Sequence, residues 1–345
     1  MTLHTKPTPE NLTEVVAPLV TASMITANQW FSGGSRIPYD PDTGKVSGNK
    51  AAPAASNTIH VFKKVCKDIS ADENSAWASF LPGWPDGSYG WAKVDQQLTG
   101  KNIGHRLFFD HVGHGGSDKP VDYPYSTTER ADMVEALWQS EGIKSTFVFA
   151  FDYSSIVTLE LLARQQDRLD AGENLVTKIE GVLLINGGLY ADGHTHPFMS
   201  TPILKSWMGN MITSIAQRFK PVFAEITSSL WSKGFQVTSA EIDELYNAIG
   251  RRNGIKLMAR TADFLKDHIQ NAERLNLSRL FQSSKDMVSF HVVGSEEDQF
   301  EGRQAILANE RLGNQGLSVE IIPGGHLSTS EKPELLAKFI LDVVS

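Results

Sequence analysis

Short apolar runs recur along the chain, separated by segments whose apolar residues lie at helical spacing. IHVFKKV alternates like a half-buried strand, QWFSGGSRIPYD predicts a strand before it, and the Gly- and Pro-rich stretch 41–56 predicts a loop. Six further runs resemble strands buried on both faces: SAWASFLPG, RLFFD, STFVFAF, KIEGVLLING, MVSFHVVG and LSVEIIPGG. Helices are predicted from STTERADMVEALWQSEG, YSSIVTLELLARQQDRL and PELLAKFILDVVS. This alternation predicts a mostly parallel sheet flanked by helices.

One interval, from about residue 190 to 282, contains no predicted strand. It holds helical segments such as TPILKSWMGNMITSIAQRF, SAEIDELYNAIG and GIKLMARTADFLKDHIQNAERL, and Thr238 precedes Glu241 at the spacing of a capping box. A helical insertion in an α/β sheet is suited to cover a site at the carboxyl edge of the sheet. We predict core residues 1–189 with an N-terminal arm over 1–28, a helical cap over 190–282, and the rest of the core over 283–345.

Composition narrows the class of protein. The 345 residues carry a formal net charge of −8 and a single cysteine, Cys66. An acidic chain without a basic run argues against nucleic acid as a partner, and one cysteine excludes an intramolecular disulfide. No apolar stretch approaches the roughly 18 residues of a membrane span, and MTLHTKPTPENLTEV lacks the features of a secretory signal. We therefore expect a cytoplasmic protein without a membrane partner.

The stretch FVFAFDYSSIVTLELLAR passes from an apolar run directly into a helix, with Asp152 at the join. A nucleophile at the tip of such a turn needs small residues two positions before and two positions after it. Around Asp152 these are Ala150 and Ser154. A turn centred on Ser154 or Ser155 would place larger side chains at these positions. The stretch therefore predicts Asp152 as the nucleophile, while the alternative is an Asp that caps the following helix.

Two motifs after neighbouring apolar runs bear on this choice. LPGWPDGSYGW and FFDHVGHGGSDKP, together with the turn at Asp152, resemble the α/β-hydrolase superfamily in the branch of epoxide hydrolases and haloalkane dehalogenases. The pattern Asp-x-x-Gly-x-Gly-x-Ser-Asp-x-Pro of that branch is complete from Asp110 to Pro120, whereas Pro82 replaces the first His of its His-Gly-x-Pro turn. LINGGLYADGHTHP is also similar to the group of mesoderm-specific transcript proteins and their bacterial relatives. The resemblance implies an α/β-hydrolase fold with a helical cap inserted after the sixth strand.

The resemblance also implies a His after the last strand and an acid after the seventh strand. His326 in IIPGGHLSTSEKPELL has the first position, and HVVGSEEDQFEG offers Glu296, Glu297 and Asp298 for the second. The spacing usual in the family points to Glu297, but the side-chain type and the following Phe300 favour Asp298 in a loop one residue longer. We predict Asp298, with Glu297 as the alternative. Some dehalogenases take this acid from the end of the sixth strand, where this chain has Asn186, which cannot ionise.

A carboxylate is already ionised at neutral pH and can displace an oxygen or a halide from an sp³ carbon, which leaves an alkyl ester on the enzyme. His326 would then deprotonate the water that attacks this ester, and the backbone N–H groups of Trp84 and Tyr153 would stabilise the oxyanion. This chemistry requires no cofactor. His194, His196 and Asp192 are weak evidence for a metal ion, since two His in one loop are common, and we predict no metal site.

The leaving group decides the substrate. The family's epoxide hydrolases commonly protonate it with two cap tyrosines, whereas its dehalogenases commonly hold a halide with a Trp directly after the nucleophile. Tyr153 in that position argues against a halide. Tyr246, Tyr190 and Trp207 are the candidate contacts in the cap, although packing is an equal expectation for Tyr246. We predict an epoxide hydrolase for a small apolar organic substrate; the alternatives are a haloalkane dehalogenase, an ester or lactone hydrolase, and a non-enzymatic binding protein on this scaffold.

Overall fold

The computed structural model describes residues 24–46, 58–72, 75–195 and 200–345, without the side chains of residues 200–202. Residues 1–23 of the predicted arm and His196 lie outside the described residues. The described chain forms nine strands: β1 (Ser35–Asp40), β2 (Lys45–Val46), β3 (Ile59–Lys67), β4 (Trp77–Leu81), β5 (His105–Phe109), β6 (Ser145–Phe151), β7 (Lys178–Ile185), β8 (Ser289–Ser295) and β9 (Ser318–Ile322).

These strands form one sheet in the order β2-β1-β3-β5-β4-β6-β7-β8-β9. Every pair from β5 to β9 is parallel, and the pairs that join β2, β1, β3 and β5 are antiparallel. The mostly parallel sheet is therefore confirmed, and the carboxyl ends of six strands meet at one edge. The short strand β2 lies inside the stretch 41–56 that was predicted as a loop, so the predicted sixth strand is β7.

Fourteen α-helices occur in the described residues. They are α1 (Ala27–Ser32), α2 (Ala92–Leu98), α3 (Thr127–Ser140), α4 (Ser154–Asp170), α5 (Ser200–Lys205), α6 (Trp207–Ala216), α7 (Lys220–Thr227), α8 (Ser239–Ile249), α9 (Gly254–Thr261), α10 (Phe264–Gln270), α11 (Leu277–Ser284), α12 (Gly302–Leu312), α13 (Ser328–Glu331) and α14 (Pro333–Val344). By the length and hydropathy of its helices, this part of the chain contains no candidate for a transmembrane helix.

Two hydrophobic cores lie on opposite faces of the sheet because successive side chains of a strand point in opposite directions. In β6, Val148 and Ala150 pack on one face, in the core that includes α3, α4, α11 and α12. Phe149 and Phe151 pack on the other face, in the core that includes α1, α2 and α14. Burial of β6 on both faces explains its uninterrupted apolar sequence.

Between β7 and β8 the described residues form helices α5 to α11 and no strand. The capping box predicted for α8 is present, because Thr238 Oγ1 accepts the N–H of Glu241 and the Glu241 carboxylate accepts the N–H of Thr238. Two segments predicted as single helices are interrupted. Ser206 separates α5 from α6 as an N-cap, and Ala262 and Asp263 separate α9 from α10.

A buried cluster of one cation and two carboxylates links β5 to α2 and to the loop after β3. Arg106 of β5 is 3% exposed and donates to Asp68 after β3 at 2.6 Å and to Asp95 of α2 at 2.8 Å. Although burial acts to raise it, the Arg106 guanidinium lowers the pKa of Asp68. Removal of the cation would leave Asp68 without a salt-bridge partner among the described residues, and Asp95 with Lys64 at 3.4 Å.

We expect Arg106→Ala to lower the free energy of unfolding by about 3–5 kcal/mol, because it leaves the buried Asp68 without a cation and removes the closer of the two cations beside Asp95. The matched control is Lys220→Ala, which breaks the exposed pair with Asp243 and should cost less than about 1 kcal/mol. Urea unfolding followed by circular dichroism measures both. Equal losses in the two variants would contradict this account of the Arg106 cluster.

Candidate active site

The join between β6 and α4 is a tight turn with Asp152 at its tip. Asp152 has a φ of +51°, and its N–H donates to the carbonyl oxygen of Ile185 at the end of β7 at 2.8 Å. A Cβ at Gly187 would lie 2.0 Å from Ser155 Oγ and 2.4 Å from the carbonyl oxygen of Asp152. The turn therefore depends on a glycine in the neighbouring loop as well as on small residues within itself.

The Asp152 side chain does not cap α4. The residue at the N-cap position is Tyr153, and no side chain accepts the N–H groups of the first turn. One carboxylate oxygen of Asp152, Oδ2, instead accepts the N–H of Trp84 at 2.8 Å, and the other, Oδ1, lies 3.4 Å from His326 Nε2. The two oxygens of this carboxylate thus face different partners.

The loop after β4 approaches the turn closely. A Cβ at Gly83 would lie 2.6 Å from the ring of Phe151 and 3.1 Å from Asp152 Cβ. The buried hydroxyl of Ser154 donates to the carbonyl oxygen of Pro82, the residue that stands in place of the family His. This contact ties the loop to the first residue of α4, and the N–H of Trp84 is held against Asp152.

His326 follows β9 and is 5% exposed. Its Nδ1 lies 2.9 Å from Asp298 Oδ2, while Asp298 Oδ1 accepts the N–H groups of Phe300 and Glu301 at 2.8 and 3.1 Å. Glu297, the alternative acid, accepts the N–H of Lys233 at 3.0 Å instead. The structure thus brings Asp152, His326 and Asp298 together and directs Glu297 elsewhere.

The charges of Asp298 and Asp152 control the pKa of the His326 imidazole. Burial of the ring acts to lower the pKa of His326, but Asp298 and then Asp152 outweigh it and raise this pKa well above its ordinary value. The two carboxylates beside the ring therefore favour its protonated form, and burial opposes it.

Asn186 supports the loop of His326. It follows β7 with a φ of +45°, and its amide nitrogen donates to the carbonyl oxygen of His326 at 2.8 Å, to Ser295 Oγ at 2.9 Å and to Ser328 Oγ at 3.1 Å. Sequence reasoning considered this position only as a source of an acid. The signal it missed is a buried amide, whose two N–H donors can bridge the ends of β8 and β9.

A cavity of about 400 Å³ lies between the carboxyl edge of the sheet and the helices after β7. Asp152, His326, Trp84 and Asp86 line its floor. The helical side is largely apolar and includes Ile203, Leu204, Ile212, Ile226, Leu230, Leu245, Ile249, Met258 and Phe264. The volume and the lining suit a small apolar molecule held against a few polar groups.

The three aromatic residues predicted to contact the leaving group lie elsewhere. The hydroxyl of Tyr246 donates to the carbonyl oxygen of Gln217 at 2.7 Å, Tyr190 is fully buried beside Ser278, and Trp207 is 74% exposed on the outer surface. None of the three is among the described residues that line the cavity. Tyr246 therefore packs within the helical insertion, and these positions do not favour contact with a leaving group.

Tyr153 and two of the residues considered as metal ligands, Asp192 and His194, also have other contacts. Tyr153 is not among the described residues that line the cavity. Its buried ring packs on Phe264, which does line the cavity. Asp192 pairs with Arg311 at 2.8 Å, and His194 Nδ1 lies 2.8 Å from Glu301. Within the described residues no group of three or more His, Cys, Asp or Glu side chains is arranged to hold a metal ion.

The segment 230–232 of the helical insertion is bonded to the loop of His326. The N–H of Leu327 donates to the carbonyl oxygen of Leu230 at 3.1 Å, and the N–H of Ser232 donates to Glu331 at 2.7 Å. A Cβ at Gly325 would lie 2.4 Å from the nitrogen of Ser232. The glycine before His326 therefore permits direct backbone contact between the two segments.

A sheet of this topology, with an acid, a histidine and a second acid after β6, β9 and β8, is typical of α/β-hydrolases. The family model described as "alpha/beta hydrolase fold" matches residues 80–333. This range is most of the 345 residues, so the chain belongs to the α/β-hydrolase family. The predicted fold class is confirmed.

Among curated relatives, the mesoderm-specific transcript protein of Mus musculus is 29% identical over 179 residues, which are 50% of this chain and 51% of that protein. Its homolog in Homo sapiens is 31% identical over 193 residues, 50% of this chain and 55% of that protein. The chain spans about half the length of the curated relatives it matches. The predicted likeness to this group is confirmed.

Solved structures share the fold at lower identity. An esterase from Exiguobacterium antarcticum is 14% identical with a TM-score of 0.61, covering 83% of this chain and 96% of that one. The epoxide hydrolase CorEH is 16% identical with a TM-score of 0.59, covering 83% of this chain and 94% of that one. A mutant of the haloalkane dehalogenase DatA from Agrobacterium tumefaciens C58 is 17% identical with a TM-score of 0.60, covering 90% of this chain and 97% of that one. At these identities the similarity establishes the fold, which hosts several hydrolytic activities.

We expect Asp298→Asn to lower the pKa of His326, because the Asp298 carboxylate is the strongest influence that raises it. Glu297→Gln is the matched control and should leave this pKa unchanged, since Glu297 bonds to the Lys233 N–H. NMR titration of the His326 ring measures both, with His326→Gln to assign the resonance. A larger change in Glu297→Gln would identify Glu297 as the partner.

Proposed function

We propose that this protein is a hydrolase that forms an alkyl ester on Asp152 and releases the product with water activated by His326. An epoxide is the substrate class that we favour. The observation that carries the proposal is that the two oxygens of the Asp152 carboxylate have different partners. Oδ2 of Asp152 accepts the Trp84 N–H at 2.8 Å, while Oδ1 is the oxygen that faces His326 Nε2 at 3.4 Å.

This arrangement suits a carboxylate that is first a nucleophile and then an ester carbonyl. When Oδ1 attacks an epoxide carbon, the carbon–oxygen bond of the ring breaks and Oδ2 remains as the carbonyl oxygen of the new ester. Water attack on this carbonyl turns Oδ2 into the oxyanion, and the N–H of Trp84 is already directed at it. The N–H of Tyr153, next in the turn, is the second proposed donor.

The change of charge on Asp152 would also prepare His326. Asp152 and Asp298 together raise the pKa of His326, whereas burial acts to lower it. Esterification removes the charge of Asp152, so the pKa of His326 falls when the intermediate forms, and a proton that the ring held beside the two carboxylates is released to solvent. A neutral imidazole, oriented by Asp298, can then accept a proton from the attacking water.

One contact in the cavity supports an epoxide over a haloalkane. A halide requires N–H donors, and the indole N–H of Trp84, a lining residue, donates to Thr261 Oγ1 at 2.8 Å. The apolar helical wall suits an alkyl or aryl epoxide.

We expect His326→Gln to accumulate a covalent adduct with styrene oxide on Asp152, because loss of a general base typically slows its step by about 10²–10⁴-fold. Intact-protein mass spectrometry and peptide mapping measure the adduct and locate it.

The double variant Asp152→Ala, His326→Gln is the control and should form no adduct. A single turnover of the unaltered protein in oxygen-18 water should give an unlabelled first diol and a labelled Asp152. A first diol that carries the label would mean direct attack by water and would refute the ester intermediate.

A further inference from the structure

Asp86 is a buried acid that the mechanism above does not use. It follows Trp84 and Pro85 in the loop after β4, is 4% exposed and lines the floor of the cavity with Asp152 and His326. Its Oδ1 has no hydrogen-bond partner among the described residues. Because a buried polar group without a partner is costly, such a group in a cavity points to a role toward a bound molecule.

The neighbouring Asp110 shows what a structural acid looks like in this fold. Its Oδ1 accepts the N–H of Ser88 at 2.6 Å and its Oδ2 accepts the N–H of Gly116 at 2.6 Å. One oxygen therefore stabilises the loop between β5 and α3, and the other joins this loop to the 3₁₀ turn after β4. Asp86 lacks such a set of backbone donors, although it lies two residues from Ser88.

The fold makes room for the carboxyl group of Asp86. A Cβ at Gly90 would lie 1.8 Å from Asp86 Oδ2, so any side chain at this position of the short 3₁₀ turn Ser88–Trp91 would displace the acid. Gly90 therefore leaves the space that this carboxyl group occupies.

The surroundings of Asp86 favour its neutral form. Burial, followed by the charges of Asp110 and Asp152, raises the pKa of Asp86 to about 7, while His326 acts to lower it. Asp86 in turn is one cause, after burial and Glu244, of the raised pKa of Tyr89 in the next turn. A neutral carboxylic acid is a hydrogen-bond and proton donor, which an ionised carboxylate is not.

Other polar groups on the described cavity wall are less suited to donate a proton. The hydroxyl of Thr213 donates to the carbonyl oxygen of Gly209 at 2.9 Å, and that of Thr227 donates to the carbonyl oxygen of Phe223 at 3.0 Å. Of the ionisable side chains on this wall, namely Asp86, Asp152 and His326, only Asp86 has no step assigned to it.

We infer that Asp86, as a neutral carboxylic acid, donates the proton that the leaving oxygen takes up when Asp152 opens an epoxide. The inference rests on the proposed function. As the ring carbon–oxygen bond breaks, the O–H proton of Asp86 passes to that oxygen and Asp86 becomes a carboxylate. Hydrolysis of the ester later releases one proton as Asp152 returns to its ionised form, and this proton restores Asp86.

The coupling between the two acids assists the transfer. The charge of Asp152 is one cause of the raised pKa of Asp86. As Asp152 loses its charge to the new ester, Asp86 becomes a stronger acid, at the step where the oxygen needs its proton. Nucleophilic attack and proton donation therefore reinforce each other electrostatically.

The test measures the rate of adduct formation on Asp152 with styrene oxide in the His326→Gln background, across the pH range, by rapid quench and mass spectrometry. With Asp86 intact, the rate should fall with rising pH, since deprotonation of Asp86 removes the donor. The pKa of Asp86 is about 7 when His326 is present, and in this background the fall should lie at higher pH because His326 no longer lowers that pKa. Asp86→Asn, which keeps the shape of the side chain, should form the adduct up to about 100-fold more slowly. Its rate should not fall with rising pH.

Glu129→Gln is the matched control. Glu129 is also buried with a pKa raised by burial to about 7, but it is not among the described residues that line the cavity. This variant should keep both the rate and the fall with pH.

Two results would overturn the role of Asp86 while leaving the proposed function intact: an unchanged rate in Asp86→Asn, or a slower rate that still falls with pH. The second would indicate that Asp86 positions the substrate or water. Absence of any adduct on Asp152 when Asp86 is intact would instead refute the proposed function, and the role of Asp86 with it.

Discussion

The carboxylate of Asp152 is the constraint on which the arrangement of the site depends. One oxygen accepts the Trp84 N–H from the loop after β4, and the other faces His326 from the loop after β9. Only a parallel sheet brings these loops to one edge. The carboxylate can occupy this position because the chain takes a positive φ at Asp152 and a glycine at position 187 leaves space for its carbonyl group.

Electrostatics gives the site a sequence of states. Three ionisable side chains share a largely apolar cavity, where charges interact more strongly than in bulk water. The charge of Asp152 raises the pKa of both His326 and Asp86. Under the proposed chemistry, loss of this one charge makes His326 able to act as a base and Asp86 a better acid. One covalent event thus changes two other groups without any movement of the backbone.

The fold and the turn at Asp152 were predictable from sequence because they depend on periodicity and on the size of adjacent residues. The choice between Glu297 and Asp298 was not, since it depends on the length of one loop. Asp86 was missed because its burial depends on Gly90, and a glycine in a turn has many ordinary explanations. For Tyr246 the sequence left packing and contact with a leaving group as equal expectations, because helical spacing does not say whether a side chain faces a cavity or another helix.

The backbone contacts between the segment 230–232 and the loop of His326 restrict how a molecule reaches the cavity. Opening the wall at Leu230 would break its bond to the N–H of Leu327 and the bond between Ser232 and Glu331. The cap segment and the loop of the histidine are thus joined through main-chain groups, so their relative position does not depend on the identity of the side chains at Leu230 and Leu327.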